Sequence, residues 1–127
     1  MTVLLVGESG ATAGLLGSLR EAGVDALGDT EPTASDKGEV AALAAELVRL
    51  ETSLRKSPAD AVVLADAGDA ALAAALVATK LLIPVALLEG AGGDNAELLA
   101  QLADRKLSAD AGEIRAWTEA LPNISGP

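Results

Sequence analysis

Residues 58–92 constrain the fold more tightly than any other stretch. Ala61–Ala65 and Ile83–Leu88 are short apolar runs without polar alternation, the pattern of strands buried on both faces. Between them, Ala70–Lys80 is apolar almost all round a helical circumference. Strand, helix and strand in so short a span make a βαβ unit, and that unit requires a parallel sheet. The turn into the helix, Asp66-Ala-Gly-Asp69, is acidic, with Asp69 predicted as the N-cap. Pro84 falls near the start of its strand, where a missing N–H is tolerated. A helix apolar on every side needs cover from more than one direction, and a dimer interface is one way to supply it.

The same alternation extends along the chain. Val3–Val6 reads as a strand ending at Gly7, and Gly10–Ala22 as a helix carrying Leu15, Leu16 and Leu19, closed by Gly23. Val24–Leu27 is a second strand, followed by a polar loop over 28–38. Glu39–Lys56 is the clearest helix, with Val40, Leu43, Ala44, Leu47, Val48 and Leu54 as its apolar stripe and Glu51–Arg55 as an i,i+4 pair. Asp94-x-x-Glu97 resembles a capping box opening a helix through Ala103. Lys106–Ser108 is a fifth strand, and Gly112–Leu121 a last helix with Trp117 as a helix–sheet packing residue. Residues 122–127 read as a frayed tail. Five strands alternating with five helices, without an internal repeat, predict one α/β domain over 1–121. Its form is a three-layer, doubly wound, five-stranded parallel sheet, half-Rossmann or flavodoxin-like, with right-handed crossovers.

Composition excludes more chemistry than the motifs suggest. The 127 residues include no Cys and no His, so thiolate nucleophiles, zinc clusters, disulfides and imidazole catalysis are ruled out. One Trp and no Phe or Tyr leave the core to Leu, Val, Ile and Ala. A net charge of −10 repels phosphate backbones and anionic lipid, so nucleic acid and membrane surfaces are not expected partners. The chain opens directly on a strand pattern, and its longest apolar stretch is broken by Lys80 and Pro84, so a cytoplasmic location is expected.

In a doubly wound sheet the loops at the carboxyl ends of the strands carry the chemistry. Here they gather Glu8, Ser9, Asp29, Asp66, Asp69 and Glu89. In the Gly7–Gly14 segment, Gly7, Ser9, Gly10 and Thr12 are the candidates to present N–H groups to a phosphate. The segment lacks Lys and Arg, however, and Glu8 opposes an anion; the alternative is a tight strand-to-helix turn. Glu8 and Asp66 are the candidate metal ligands, in a pairing that resembles the acidic pocket of response-regulator receiver domains. The receiver hydroxyl falls at Leu88, and the receiver lysine has no match beyond Lys106 at the start of its strand. The other reading of Asp66 is a helix-entry acid in a favourable dipole field. Glu89 is either a ligand-facing acid beside the glycine loop or a solvated strand-end acid.

A more specific resemblance covers residues 39–110. Pro58-Ala-Asp60, Leu72-Ala-Ala-Ala-Leu76, Ile83-Pro-Val-Ala-Leu-Leu-Glu-Gly-Ala91 and Asn95-Ala-Glu-Leu-Leu-Ala-Gln-Leu-Ala-Asp-Arg105 are similar to the N-terminal half of the UDP-N-acetylglucosamine 2-epimerases. That family has a two-domain GT-B fold with the reaction in the cleft between domains. The resemblance implies a half-domain stripped of most active-site residues. The family's Arg and Glu after the first strand fall at Ser9 and Ala11, its Gly-Asp-Thr aspartate at Ala67, and its histidine at Leu87. Its Asn-Arg falls at Leu99-Ala100. Glu89, Glu97 and Asp104 persist, which leaves Asp66, Asp69, Glu89 and Glu97 as the carboxylates available for acid–base work. The expectation is a non-catalytic domain without a cofactor, acting as a homodimer or with a partner protein. A receiver-like module and a nucleotide-sugar binder are the alternatives.

Overall fold

The structure, a computed structural model, describes residues 2–7, 9–29, 39–93 and 95–121. Five strands, β1 (Thr2–Val6), β2 (Asp25–Asp29), β3 (Ala61–Leu64), β4 (Val85–Leu88) and β5 (Arg105–Leu107), form one parallel sheet in the order β2-β1-β3-β4-β5. Five helices alternate with them: α1 (Ser9–Glu21), α2 (Glu39–Lys56), α3 (Asp69–Lys80), α4 (Ala96–Leu102) and α5 (Ala111–Ala120). This is the α/β three-layer sheet that the alternation predicts. Among the described residues, no helix is long and apolar enough to cross a membrane.

The strands read as continuous apolar runs because both faces are covered. Leu4, Val6, Val62, Leu64, Val85 and Leu87 turn to the side of α2, α3 and α4, packing with Leu50, Leu54 and Leu99. Val3, Leu5, Ala61, Val63, Ala86 and Leu88 turn to the side of α1 and α5, where Leu19, Ile114 and Trp117 meet them. Trp117 is thus a packing residue, as expected. Only β1→β2 steps one way across the sheet and the later connections step the other way, so right-handed crossovers place α1 opposite α2–α4.

Helix α3 is buried from Ala71 through Ala75 and again at Val77 and Ala78. Its cover comes from this chain, with α2 and α4 beside it and the sheet beneath. The dimer that its composition suggested is not needed to bury it.

The stripe on α2 is phased differently from expectation. Leu43, Leu47, Leu50 and Leu54 face the core, and Glu46 is buried among them, paired with the Arg49 guanidinium. Val40, Ala44 and Val48 are exposed. Successive steps of four advance about 40° round a helix, so the row 40–44–48 winds off the inward face. Alternating steps of four and three, as in 43–47–50–54, hold it.

Several boundaries shift for one reason: helix closure takes residues from the following strand. Gly23 (φ 88°) and Val24 donate to the Arg20 and Leu19 carbonyls, so β2 begins only at Asp25; it then runs on through Gly28 and Asp29. Leu82 (φ 60°) and Ile83 donate in the same pattern to Thr79 and Ala78. Ile83 and Pro84 therefore precede β4 instead of opening it. Gly68, not Asp69, is the N-cap residue of α3. The N-cap residue of α4 is Asn95, without a side-chain cap, while Asp94 of the predicted capping box, the loop 30–38 and the tail 122–127 lie outside the described residues.

At the amino edge two aspartates do the same work. Asp60, before β3, accepts from the Thr2 N–H at 2.8 Å through its carboxylate and donates its own N–H to the Thr2 carbonyl. Asp104, before β5, does the same with Val85 of β4, again at 2.8 Å to the carboxylate. Each ties the start of one strand to the start of its neighbour.

Leu82 occupies the left-handed position of a two-bond helix closure that Gly23 occupies in α1, and it is 78% exposed. A Cβ there costs about 1 kcal/mol, and little packing offsets it. Leu82→Gly is expected to raise the urea midpoint by an amount equivalent to about 0.5 kcal/mol, net of the entropy that glycine adds to the unfolded chain.

Candidate functional site

The order β2-β1-β3 makes the gap between the carboxyl ends of β1 and β3 the topological switch point, the usual crevice of such sheets. Gly7 ends β1 there. A Cβ at Gly7 would lie 3.0 Å from Ala65 Cβ, 3.1 Å from Thr12 Cγ2 and 3.3 Å from Asp66 Oδ2. A side chain there would press on the first turn of α1 and the β3–α3 loop, which a glycine lets close over the strand end. Gly7, Thr12 and Asp66 are therefore brought together, with Thr12 buried and Asp66 half-buried. Ser9 and Gly10 lie in the first turn of α1 and Gly14 in its middle, where a Cβ would meet nothing within 4 Å. The described backbone between β1 and α1 is thus Gly7 alone. Glu8, the other candidate metal ligand, lies outside the described residues.

The Asp66 carboxylate turns along its own loop. Its Oδ1 accepts from the Gly68 N–H at 3.1 Å, an Asx turn that leads the chain into α3. Asp69, the first residue of α3, accepts from the Asn95 side-chain amide at 3.2 Å. Its role is thus to hold the β4–α4 loop and not to cap its own helix.

That loop is clamped to the loop that follows β3. The Ala67 N–H donates to the Gly92 carbonyl and the Asn95 N–H to the Ala67 carbonyl, both at 3.0 Å. Gly93 has φ 147°, and a Cβ on it would stand 2.5 Å from the Ala67 carbonyl carbon and oxygen. The run Gly90-Ala-Gly-Gly93 therefore lets one backbone lie directly on another. The sequence marks the glycines but not their partner, because Ala67 is 26 residues away from Gly93 and carries no distinguishing side chain. Asn95 was likewise not singled out for a role.

Glu89 is exposed at the end of β4, its N–H bonded to the Leu107 carbonyl at 2.7 Å, and Glu97 is exposed in the first turn of α4. Among the described residues, no group of three or more carboxylates is placed to hold a metal ion. Leu88, at the receiver hydroxyl position, is buried toward α1 and α5. Lys106 is an exposed residue in the middle of β5.

The described cations lie elsewhere. Arg20, Arg55, Lys56 and Lys80 occupy the last turns of helices that run back against the strands, which is the amino edge. Arg105 opens β5, and Arg115 pairs with Glu119 on α5. Gly7 and the loops 65–68, 89–93 and 108–110 contain no Lys or Arg.

No protein-family model matches this chain, and no curated protein does. Solved structures do. The UDP-GlcNAc 2-epimerase from Methanocaldococcus jannaschii superposes with a TM-score of 0.67 at 18% identity, over 84% of this chain and 38% of that one. S. aureus MnaA, in a co-structure with UDP, gives 0.68 at 14% identity, over 94% of this chain and 40% of that one. A further UDP-N-acetylglucosamine 2-epimerase gives 0.66 at 15% identity, over 98% and 44%. At these identities the likeness is one of fold, and it agrees with the resemblance carried by residues 39–110. This chain spans less than half the length of those proteins.

Gly93→Ala is expected to force the β4–α4 loop off Ala67. The measurable result is a loss of about 1–3 kcal/mol in unfolding free energy and faster hydrogen exchange at the Ala67 and Asn95 amides, with the sheet amides still protected.

Proposed function

We propose that this chain is a non-catalytic α/β half-domain of epimerase-like fold that acts through protein contacts, with itself or with a partner chain. The observation that carries this reading is the state of the carboxyl edge. The Ala67 N–H and the Gly68 N–H, in the loop that follows β3, are both taken up within the chain by Gly92 and Asp66. Asp69 holds Asn95, and the described loops 65–68, 89–93 and 108–110 bring no cation to meet a diphosphate. A nucleotide sugar such as those the fold relatives act on, or the UDP bound by S. aureus MnaA, would meet carboxylates and an occupied backbone there. What this chain keeps of the epimerase pattern is scaffold: Asp60 and Asp104 join strand starts, and Leu72–Leu76 is core.

The purified chain is expected to leave UDP-N-acetylglucosamine unepimerised at stoichiometric protein, followed by proton NMR of the sugar, and to show no rise in Tm with UDP or the nucleotide sugar. Measurable turnover overturns the reading. A saturable Tm rise without turnover would move it to the nucleotide-sugar-binding alternative.

The receiver-like reading keeps one specific support, Asp66 at the carboxyl end of β3 in a sheet of order 2-1-3-4-5. The Gly68 N–H engages Asp66 Oδ1, and Oδ2 is the oxygen beside Gly7. Beryllofluoride with Mg²⁺ is expected to leave the amide spectrum unchanged, identically in the chain as it stands and in Asp66→Asn. Shifts at Ala65–Gly68 that vanish in Asp66→Asn would favour the receiver instead.

A further inference from the structure

The sheet has two outer strands, β2 and β5, and they are built differently. β5 is three residues long and carries Arg105 and Lys106, both exposed. A strand so short and so charged is a poor template for another. β2 is five residues long, and its middle, Ala26-Leu27-Gly28, is uncharged. Leu27 is 41% exposed, and Gly28 offers bare backbone to solvent.

The ladder fixes which backbone groups of β2 point away from the sheet. The Thr2 and Val6 carbonyls accept from Asp60 and Ala65, at the two ends of β3. Backbone groups alternate sides along a strand, so Val3 and Leu5 face β2. In a parallel pair a residue bonds to the two neighbours of the residue opposite it. Val3 lies opposite Ala26 and Leu5 opposite Gly28. Asp25, Leu27 and Asp29 therefore face β1, and the N–H and C=O groups of Ala26 and Gly28 face outward. The Ala26 carbonyl is nevertheless occupied. Arg20, in the last turn of α1, donates to it from Nε at 3.2 Å and from Nη2 at 3.1 Å. The end of the helix thus lays a guanidinium on the middle of the open edge.

We infer that Arg20 is a latch that holds the β2 edge closed to strand addition. The inference goes beyond the half-domain reading and does not depend on it. An incoming strand needs the Ala26 carbonyl as an acceptor and must lie where the guanidinium already stands. Burying that charge unpaired beneath a new strand costs more than one backbone hydrogen bond contributes. The two edges are then closed by different means, β5 by its own brevity and charge and β2 by a residue borrowed from the helix before it.

Arg20→Ala tests the latch in the full chain, and circular dichroism checks that α1 still folds, alanine being the best helix former at an exposed position. By sedimentation velocity the variant is expected to form species larger than any formed by the chain as it stands. Loss of Arg20 also removes a tie between α1 and β2, so two readouts separate edge pairing from simple loss of stability. In the assembled variant the Ala26 and Gly28 amides are expected to gain protection from hydrogen exchange while the β1 and β3 amides keep theirs. Leu27→Lys, which restores charge to the edge but not the bond to Ala26, is expected to return Arg20→Ala to the mass of the chain as it stands. In the unmodified chain the Ala26 and Gly28 amides are expected to exchange at rates independent of protein concentration. Four results would overturn the inference: an Arg20→Ala mass distribution unchanged from that of the parent chain, assembly that leaves the Ala26 and Gly28 amides unprotected, assembly indifferent to Leu27→Lys, or concentration-dependent protection of those amides in the unmodified chain. None of them bears on the half-domain reading, which is tested by turnover and ligand binding.

Discussion

Helix α3 is buried at Ala71–Ala75, Val77 and Ala78, and the α2–α4 layer is arranged around that fact. Its buried run is alanine from Ala73 to Ala75, with Ala71 and Ala78 on either side. Alanine pays little side-chain entropy and keeps the helix narrow, so α3 can sit close on β3 while α2 packs along one flank and α4 along the other. A core without Phe or Tyr fills its volume in this way, by closeness of backbones rather than by size of side chains. A larger residue in that row would have to move three elements at once.

The same closeness governs the carboxyl edge. Gly7 admits the first turn of α1 and the Asp66 loop, and Gly93 admits the Ala67 backbone. In a sheet that binds a ligand at its switch point, glycines let the backbone approach the ligand. Here they let the chain approach itself. The N–H groups of Ala67 and Gly68 are spent on Gly92 and Asp66, and two of the acids that look like a pocket in sequence, Asp66 and Asp69, are turn and loop anchors.

The amino edge is held by two aspartates placed alike. Asp60 and Asp104 each exchange two hydrogen bonds with the first residue of an adjoining strand. Those bonds set the parallel register of β1 against β3 and β4 against β5. Their loss would cost the sheet its alignment at these strand starts. Contacts of this kind belong to the fold, and the likeness to the solved structures, over 84–98% of this chain at 14–18% identity, is one of fold.

The parallel α/β sheet, the five helices and the exclusion of thiol, imidazole and zinc chemistry were all legible in the sequence. They depend on local period, short-range turn residues and composition, and these act within a few residues of one another. The phase of α2 was harder to read, because Val48 and Leu50 are equally apolar and only packing against α3 selects Leu50. The first strand residues after α1 and α3 were misplaced because helix closure competes for the same N–H groups. The candidate acids were found, but not what they do: Asp66 bonds two residues along its own loop, while Asp69 holds Asn95 of the neighbouring β4–α4 loop. Sequence by itself determined which segments are strand and helix. Tertiary structure alone decided which apolar face stays exposed and which glycines lie against backbone, because both depend on contacts between residues far apart in the chain.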